Sequence, residues 1–189
     1  MCTKVSKPNQ GDRTKLNRVL DFLKATKGDK RVIGATSLDK LMTWVDVSYA
    51  IHDNMRSHTG GMMSFGIGAL HTKSTKQKLN TKSSTEAELV GVSEYLPYHI
   101  WLINFLEHQG YKVKEKLLFQ DNESTIRMEV NGRNSCTGNS RHVDIRFFFV
   151  HDRVKSGKSM SCIVQLVRWW RISLRSLYKV ASSRSLGLR

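Results

Sequence analysis

The chain has 189 residues, 39% of them apolar, enough to pack one ordinary domain with flanking segments, so a globular protein is expected. Its formal charge is +15, from 31 Lys+Arg against 16 Asp+Glu, which favours polyanionic partners, nucleic acid first and an acidic membrane surface second. No apolar run approaches the roughly 20 residues of a spanning helix and no signal-peptide core opens the chain; Cys2, Cys136 and Cys162 have no metal-ligand spacing, so a soluble intracellular protein with free thiols is expected.

In chain order, residues 13–25 place Leu16, Val19, Leu20 and Leu23 on one helical face, and the Lys-Gly-Asp that follows reads as a stop. Residues 41–51 and 61–70 are apolar, β-rich runs separated by a polar loop, which predicts strand, loop, strand; a third short strand fits 73–79. Ser83 and Glu86 match the capping box that opens a helix, and Leu89, Val92, Leu96, Ile100, Ile103 and Leu106 recur at helical spacing until Gly110, with Pro97 expected to kink the helix. Residues 116–121 read as a buried strand, 122–130 as a short helix, 131–140 as a loop and 141–154 as another helix. The βββαβα order predicts an α/β domain. Trp44, Phe65, Trp101 and Phe147–Phe149 fit core positions. After Asp152 there is no acid at all, and nine of the net positive charges fall in that tail.

Three carboxylates stand out by position: Asp46 in the first strand, Glu88 in the first turns of the long helix, and Asp121 at the carboxyl end of the next strand. An ionised acid in an apolar strand is costly unless it is paired or holds a cation. Strand-end acids converging from separate elements suit Mg2+, a hard ion with oxygen ligands. Each acid alone also fits a blander reading, an exposed strand-end Asp or a Glu favoured by the helix dipole.

Four ordered blocks carry a resemblance: SHTGG (57–61), KQKLNTKSSTEAELVGVSEY (76–95), LLFQDNEST (117–125) and RHVDIRFFFVHDRV (141–154). Together they resemble the ribonuclease H domain of copia-type retrotransposon Pol polyproteins, over about residues 36–158. The resemblance implies a ribonuclease H-like mixed sheet with flanking helices. Residues 1–35 resemble the connection that follows a reverse transcriptase, and 159–189 form a basic tail without counterpart, expected to be poorly packed. The implied activity is hydrolysis of the RNA strand of RNA–DNA hybrids by two Mg2+ ions, with Mn2+ as an alternative. Implied partners are the hybrid and the reverse transcriptase of the same polyprotein, in the cytoplasm, a virus-like particle or the nucleus.

Carried over by position, the metal-holding and catalytic acids are Asp46 of TWVDVSYA, Glu88 of the Ala-Glu-Leu triplet and Asp121 of FQDN. Helical geometry agrees for the second: Glu88 lies along the stripe that continues at Val92, whereas Glu86 sits about 200° round the helix and serves as the cap partner of Ser83. Lys73, Lys76, Lys78, Thr81, Ser83, Ser84, Asn122, Arg141 and His142 are the candidate contacts to nucleic acid, set against the plain reading of a solvated loop for the lysines. His142, Asp144 and Arg146 match the family's His-x-Asp-x-Arg helix motif.

The resemblance stops at residue 158. The family continues with a last strand, a Tyr-x-Pro-Thr segment and an Ala-Asp-x-x-Thr-Lys helix that supplies a fourth acid; this chain reads KSMSCIVQLVRWWRISLRSLYKV instead. Codons permitted for Ser159 to Leu177 can be chosen so that the neighbouring frame gives INVMYCPTSEMVADFFTKPL, with the missing Asp across the codons of Arg171 and Ile172. A one-base loss at the Lys158 codon is therefore expected, and with it a missing last strand, a missing C-terminal helix and impaired cleavage. Two other readings stay open: a non-catalytic nucleic-acid-binding remnant, and a basic amphipathic membrane segment at residues 167–180.

Overall fold

The structure is a computed structural model; it describes residues 7–30, 32–126, 148–153, 155 and, as backbone, 162–165. Two compact units separate, with Met1–Arg31 in the first and Val32–Tyr178 forming the second.

In the first unit, helix α1 spans Gln10–Ala25. It begins three residues before the stretch 13–25 expected from the sequence because Asn9 and Asp12 close a capping box: the Asp12 amide donates to Asn9 Oδ1 at 2.9 Å and the Asn9 amide to Asp12 Oδ2 at 3.0 Å. Leu16, Val19, Leu20 and Leu23 share a face as expected, and that face is solvent-exposed.

The second unit is built on a five-stranded mixed sheet. Its strands are β2 (Lys40–Ser48), β3 (His58–Ser64), β5 (His71–Lys76), β6 (Glu115–Gln120) and β7 (Cys162–Gln165), in the order β5-β3-β2-β6-β7. The first three form an antiparallel meander, while β6 runs parallel to β2 and β7 parallel to β6. A minor ribbon pairs β1 (Gly34–Ala35) with β4 (Gly66–Ile67). Between β5 and β6 runs helix α2, Ser84–His108, continuous through Pro97. A parallel β2–β6 pair needs such a crossover, because the chain must return to the starting end of the sheet.

Alternation along β2 decides which face is covered. Leu41, Thr43 and Val45 are buried and belong to the side that α2 packs on, while Met42, Trp44 and Asp46 point the other way and are half-buried. From α2, Leu89, Val92, Leu96, Ile103 and Leu106 complete the core, each full burial of such a side chain contributing about 1.5–3 kcal/mol. Thr43 Oγ1 and His99 Nδ1, 2.7 Å apart, satisfy each other inside it. Gly61 lets α2 settle onto β3: a Cβ there would collide with the Tyr95 ring, whose hydroxyl is anchored 2.8 Å from His71 Nδ1. Gly61→Ala is accordingly expected to lower stability by about 1–3 kcal/mol, measured as a shift of the urea midpoint at unchanged slope.

Three expectations are corrected. The last strand is not missing: β7 occupies the sheet edge beside β6, with Leu117 paired to Cys162 and Gln120 to Gln165. Pairing there is made by backbone groups, and the short β-rich run Cys-Ile-Val-Gln supplies them without any of the family's side chains. Trp101 is 63% exposed rather than in the core. It falls just outside the buried stripe of Leu102, Ile103 and Leu106 and stacks on Phe105 one turn later, with ring centroids 5.5 Å apart. Phe148 is likewise exposed, whereas Phe149 packs against the core and Phe147 lies outside the described residues. The predicted helix 141–154 is seen at 148–153, and the short helix after β6 at 123–126.

Candidate metal centre

Asp46 and Asp121 come together through strand register. Trp44 pairs with Phe119 in the parallel β2–β6 ladder, their rings stacked 5.2 Å apart, and each acid lies two residues further toward the carboxyl end on the same face. Glu88 arrives from α2. The Ser83 hydroxyl accepts the Glu86 amide at 3.1 Å, and the Glu86 carboxylate reaches back to the Lys82 amide at 2.6 Å, one residue beyond the box expected from the sequence. Glu86 is thus a capping residue. Glu88, two residues on, is turned inward and only 5% exposed.

Small residues and hydrogen bonds fix the approach. Gly91, one turn after Glu88, packs so closely that a Cβ would press on the Val47 and Thr59 side chains. Gln77 is buried and donates to both Thr59 Oγ1 and the Ala87 carbonyl at 2.9 Å, tying β3 to the first turn of α2. Behind Asp121, Thr125 donates its hydroxyl to the Thr85 carbonyl at 3.3 Å. These ties bring one oxygen from each of Asp46, Glu88 and Asp121 within 4.8 Å of one another.

The electrostatics of the cluster are unfavourable as they stand. Burial, with Asp121 and then Asp46 nearby, pushes the Glu88 carboxyl up to about 8, against a smaller opposing pull from Gln120 and the Val47 amide. Burial and the charge of Asp121 raise Asp46 in the same way. Among the described residues, Glu88 Oε2 is buried without a hydrogen-bond partner, and so are both amide atoms of the adjoining Gln120. Gln120 is close enough to favour the Glu88 anion, but its amide is not aligned for a hydrogen bond to it, which requires direction as well as proximity. Gln120 was missed in the sequence, where a strand-end glutamine carries no signal of its own.

The remaining candidates divide. Lys73 lies on the α2 side of the sheet, its Nζ 2.6 Å from the Tyr98 hydroxyl and 4.3 Å above the Tyr98 ring, away from the acids. Lys76 ends β5, opposite His58, and Lys78 is exposed in the turn beyond. Ser83 is the α2 cap and Ser84 its exposed first residue. Asn122 accepts the Thr125 amide at 3.1 Å and so caps the short helix. Arg141 and His142, with Asp144 and Arg146, lie outside the described residues.

A mixed sheet in this order, with three acids gathered at the ends of two parallel strands and the start of a helix, defines a ribonuclease H-like α/β domain. Over 137 residues the chain is 31% identical to the retrovirus-related Pol polyprotein from transposon TNT 1-94 of Nicotiana tabacum, a match covering 72% of this chain and 10% of that protein. The chain belongs to these retrotransposon Pol polyproteins and spans about a tenth of that relative's length. Among solved structures it is similar to the foamy viral protease-reverse transcriptase in complex with RNA/DNA hybrid, with a TM-score of 0.50 and 15% identity over 85% of this chain and 22% of that one. The N-terminal RNase H domain of rv2228c from Mycobacterium tuberculosis aligns at a TM-score of 0.45 and 10% identity, over 77% and 98% of the two chains. No family model matches the sequence. Among the described residues no helix is long and apolar enough to cross a membrane.

Proposed function

We propose that this is the ribonuclease H domain of a copia-type Pol polyprotein, built to hydrolyse the RNA strand of RNA–DNA hybrids and impaired in the present chain. The observation that carries the reading is the convergence of three carboxylates from three separate elements, one of them buried with an oxygen that has no partner among the described residues. Buried acids that repel one another are relieved by a cation, and an all-oxygen donor set suits Mg2+ or Mn2+. Asp46, Glu88 and Asp121 would hold the ions. Bound there, a pair of such ions would supply an activated water and a counter-charge for the leaving 3′ oxygen. Glu88, clamped by the Gly91 contact and the Gln77 ties, fixes the inner wall of the site, while the more exposed Asp121 faces the side from which a phosphate can enter. The reverse transcriptase of the same polyprotein is the proposed covalent neighbour, and the α1 unit the connection to it.

Mn2+ titration followed by thermal unfolding tests the centre. The wild-type midpoint is expected to rise by several degrees at saturating ion, by mass action on the folded state, and Asp121→Asn to lose most of that rise. An Mn2+-independent midpoint for the wild type contradicts the reading.

The net charge of +15, with nine charges in the acid-free tail, favours a second reading: a nucleic-acid-binding remnant without cleavage. It predicts salt-sensitive binding with equal affinity for hybrid and duplex DNA and no response to Mn2+.

A further inference from the structure

The Ser-His-Thr-Gly-Gly motif sets two glycines side by side in β3, and packing accounts for one of them. Gly61 faces α2 and has no room for a side chain. Gly60 faces the other way. Among the described residues, a Cβ there would meet nothing nearer than the Asp46 carbonyl oxygen at 3.8 Å, and its backbone is not in the left-handed region. A strand glycine with neither reason marks a place where a ligand or another backbone comes close.

The groups beside that bare strip suit one class of ligand. Directly opposed residues of paired strands share a face. The register therefore sets Asp46, Gly60 and Ser74 in one row, on the side of the sheet away from α2, and Ser48, His58 and Lys76 in the next. At one end of the first row are the clustered acids. At the other, Ser74 Oγ lies 2.7 Å from His58 Nε2, and His58 Nδ1 lies 3.0 Å from His52 Nε2. The exposed Ser74 hydroxyl, oriented by the imidazole, keeps two further hydrogen-bonding positions, and Lys76 brings positive charge alongside. About two strand spacings, roughly 9.6 Å, separate the ends of the row.

We propose that the bare strip at Gly60 seats the sugar–phosphate backbone of the bound nucleic acid, with Ser74, His58 and Lys76 holding the phosphate next to the one that reaches Asp46. This rests on the nucleic-acid reading above and adds a strand-positioning site to it. Such contacts fix register and carry no sequence information, which suits a nuclease acting along a hybrid.

The test is Gly60→Val in the full chain, since valine suits a strand and the glycine has room for a Cβ. The thermal midpoint is expected to be no lower than that of the wild type. Affinity for a fluorescent RNA–DNA hybrid, measured by anisotropy without divalent ions across a salt series, is expected to fall about 10-fold or more. A displaced backbone also gives up the Lys76–phosphate contact, so the salt slope is expected to fall by about 1 while the charge of the tail is untouched. Ser74→Ala is expected to lower the same affinity about 5-fold, the worth of one hydrogen bond. Unchanged hybrid affinity in folded Gly60→Val, or in Ser74→Ala if the valine variant does not fold, overturns the proposal. The assay contains no divalent ion, so a wild-type chain that binds no Mn2+ sinks the hydrolase reading and leaves this site to be judged on its own result.

Discussion

Raising the pH from about 5 to about 8 is expected to cost the metal-free protein on the order of 4 kcal/mol, seen as a falling urea midpoint, and Glu88→Gln is expected to remove most of that dependence. The folded-state carboxyl of Glu88 is pushed up from 4.5 to about 8. Between those values the unfolded chain has released the proton and the folded chain still holds it. The folded state therefore binds more protons, and stability falls as pH rises through the window. Below about 4.5 both states are protonated and the penalty vanishes; above about 8 it is complete and constant. Asp46, raised for the same reasons, adds a loss of the same sign that begins above its ordinary 3.8. Gln keeps the shape of Glu and carries no charge, so the variant should match the wild type near pH 4 and exceed it at pH 8. Mn2+ should restore the wild type at pH 8 and have far less effect on Glu88→Gln. A midpoint independent of pH in the wild type would mean that the buried carboxylate is compensated by a group not yet accounted for.

The same buried acid shows how much could be read in advance. That Glu88 rather than Glu86 faces the sheet follows from helical periodicity alone, because Val92 and Leu96 continue its stripe and Glu86 does not share it. The meander β2-β3-β5 and strand β6 were legible for a similar reason: apolar or β-branched runs bounded by polar turns leave few alternatives. What could not be read depends on contacts between distant residues. Nothing local tells Lys73 from Lys76, yet the pleat turns the first toward Tyr98 and the second toward the face that carries Asp46. Gly60 and Gly61 look interchangeable in sequence; only the position of Tyr95 separates the glycine required by packing from the one that leaves space. Trp101 read as core because large aromatic residues usually are, but a single step of about 100° places it outside the stripe. The edge strand β7 was hidden because its expectation rested on family side chains, whereas edge pairing depends on backbone groups.

Cleavage of a labelled RNA–DNA hybrid by this chain in Mg2+ is expected to stay at least about 100-fold below that of a chain in which the segment from Ser159 is replaced by INVMYCPTSEMVADFFTKPL, given that even outer-shell changes at metal sites cost 10–100-fold. The presence of β7 sharpens this comparison. Had the sheet lost its edge strand, any deficit could be blamed on a disrupted fold; with Leu117–Gln120 already paired to Cys162–Gln165, the strand position next to Asp121 is filled. The replacement exchanges β7 for the family's edge strand and adds an Asp carried in Ala-Asp-Phe-Phe-Thr-Lys to the three acids within 4.8 Å; changing that added Asp to Asn separates the carboxylate from the exchanged strand. Three carboxylates can bring together at most three negative charges, and two divalent ions carry four positive ones, so under the proposed reading a second ion would be held weakly in the present chain. The rebuilt chain should therefore show a steeper dependence of rate on Mg2+ concentration as well as a higher rate. Asp121→Asn should abolish the recovered activity in that background. Cleavage of comparable rate by the chain as it stands, lost on Asp121→Asn, would show that three acids suffice and that the altered C-terminal segment is not what limits it.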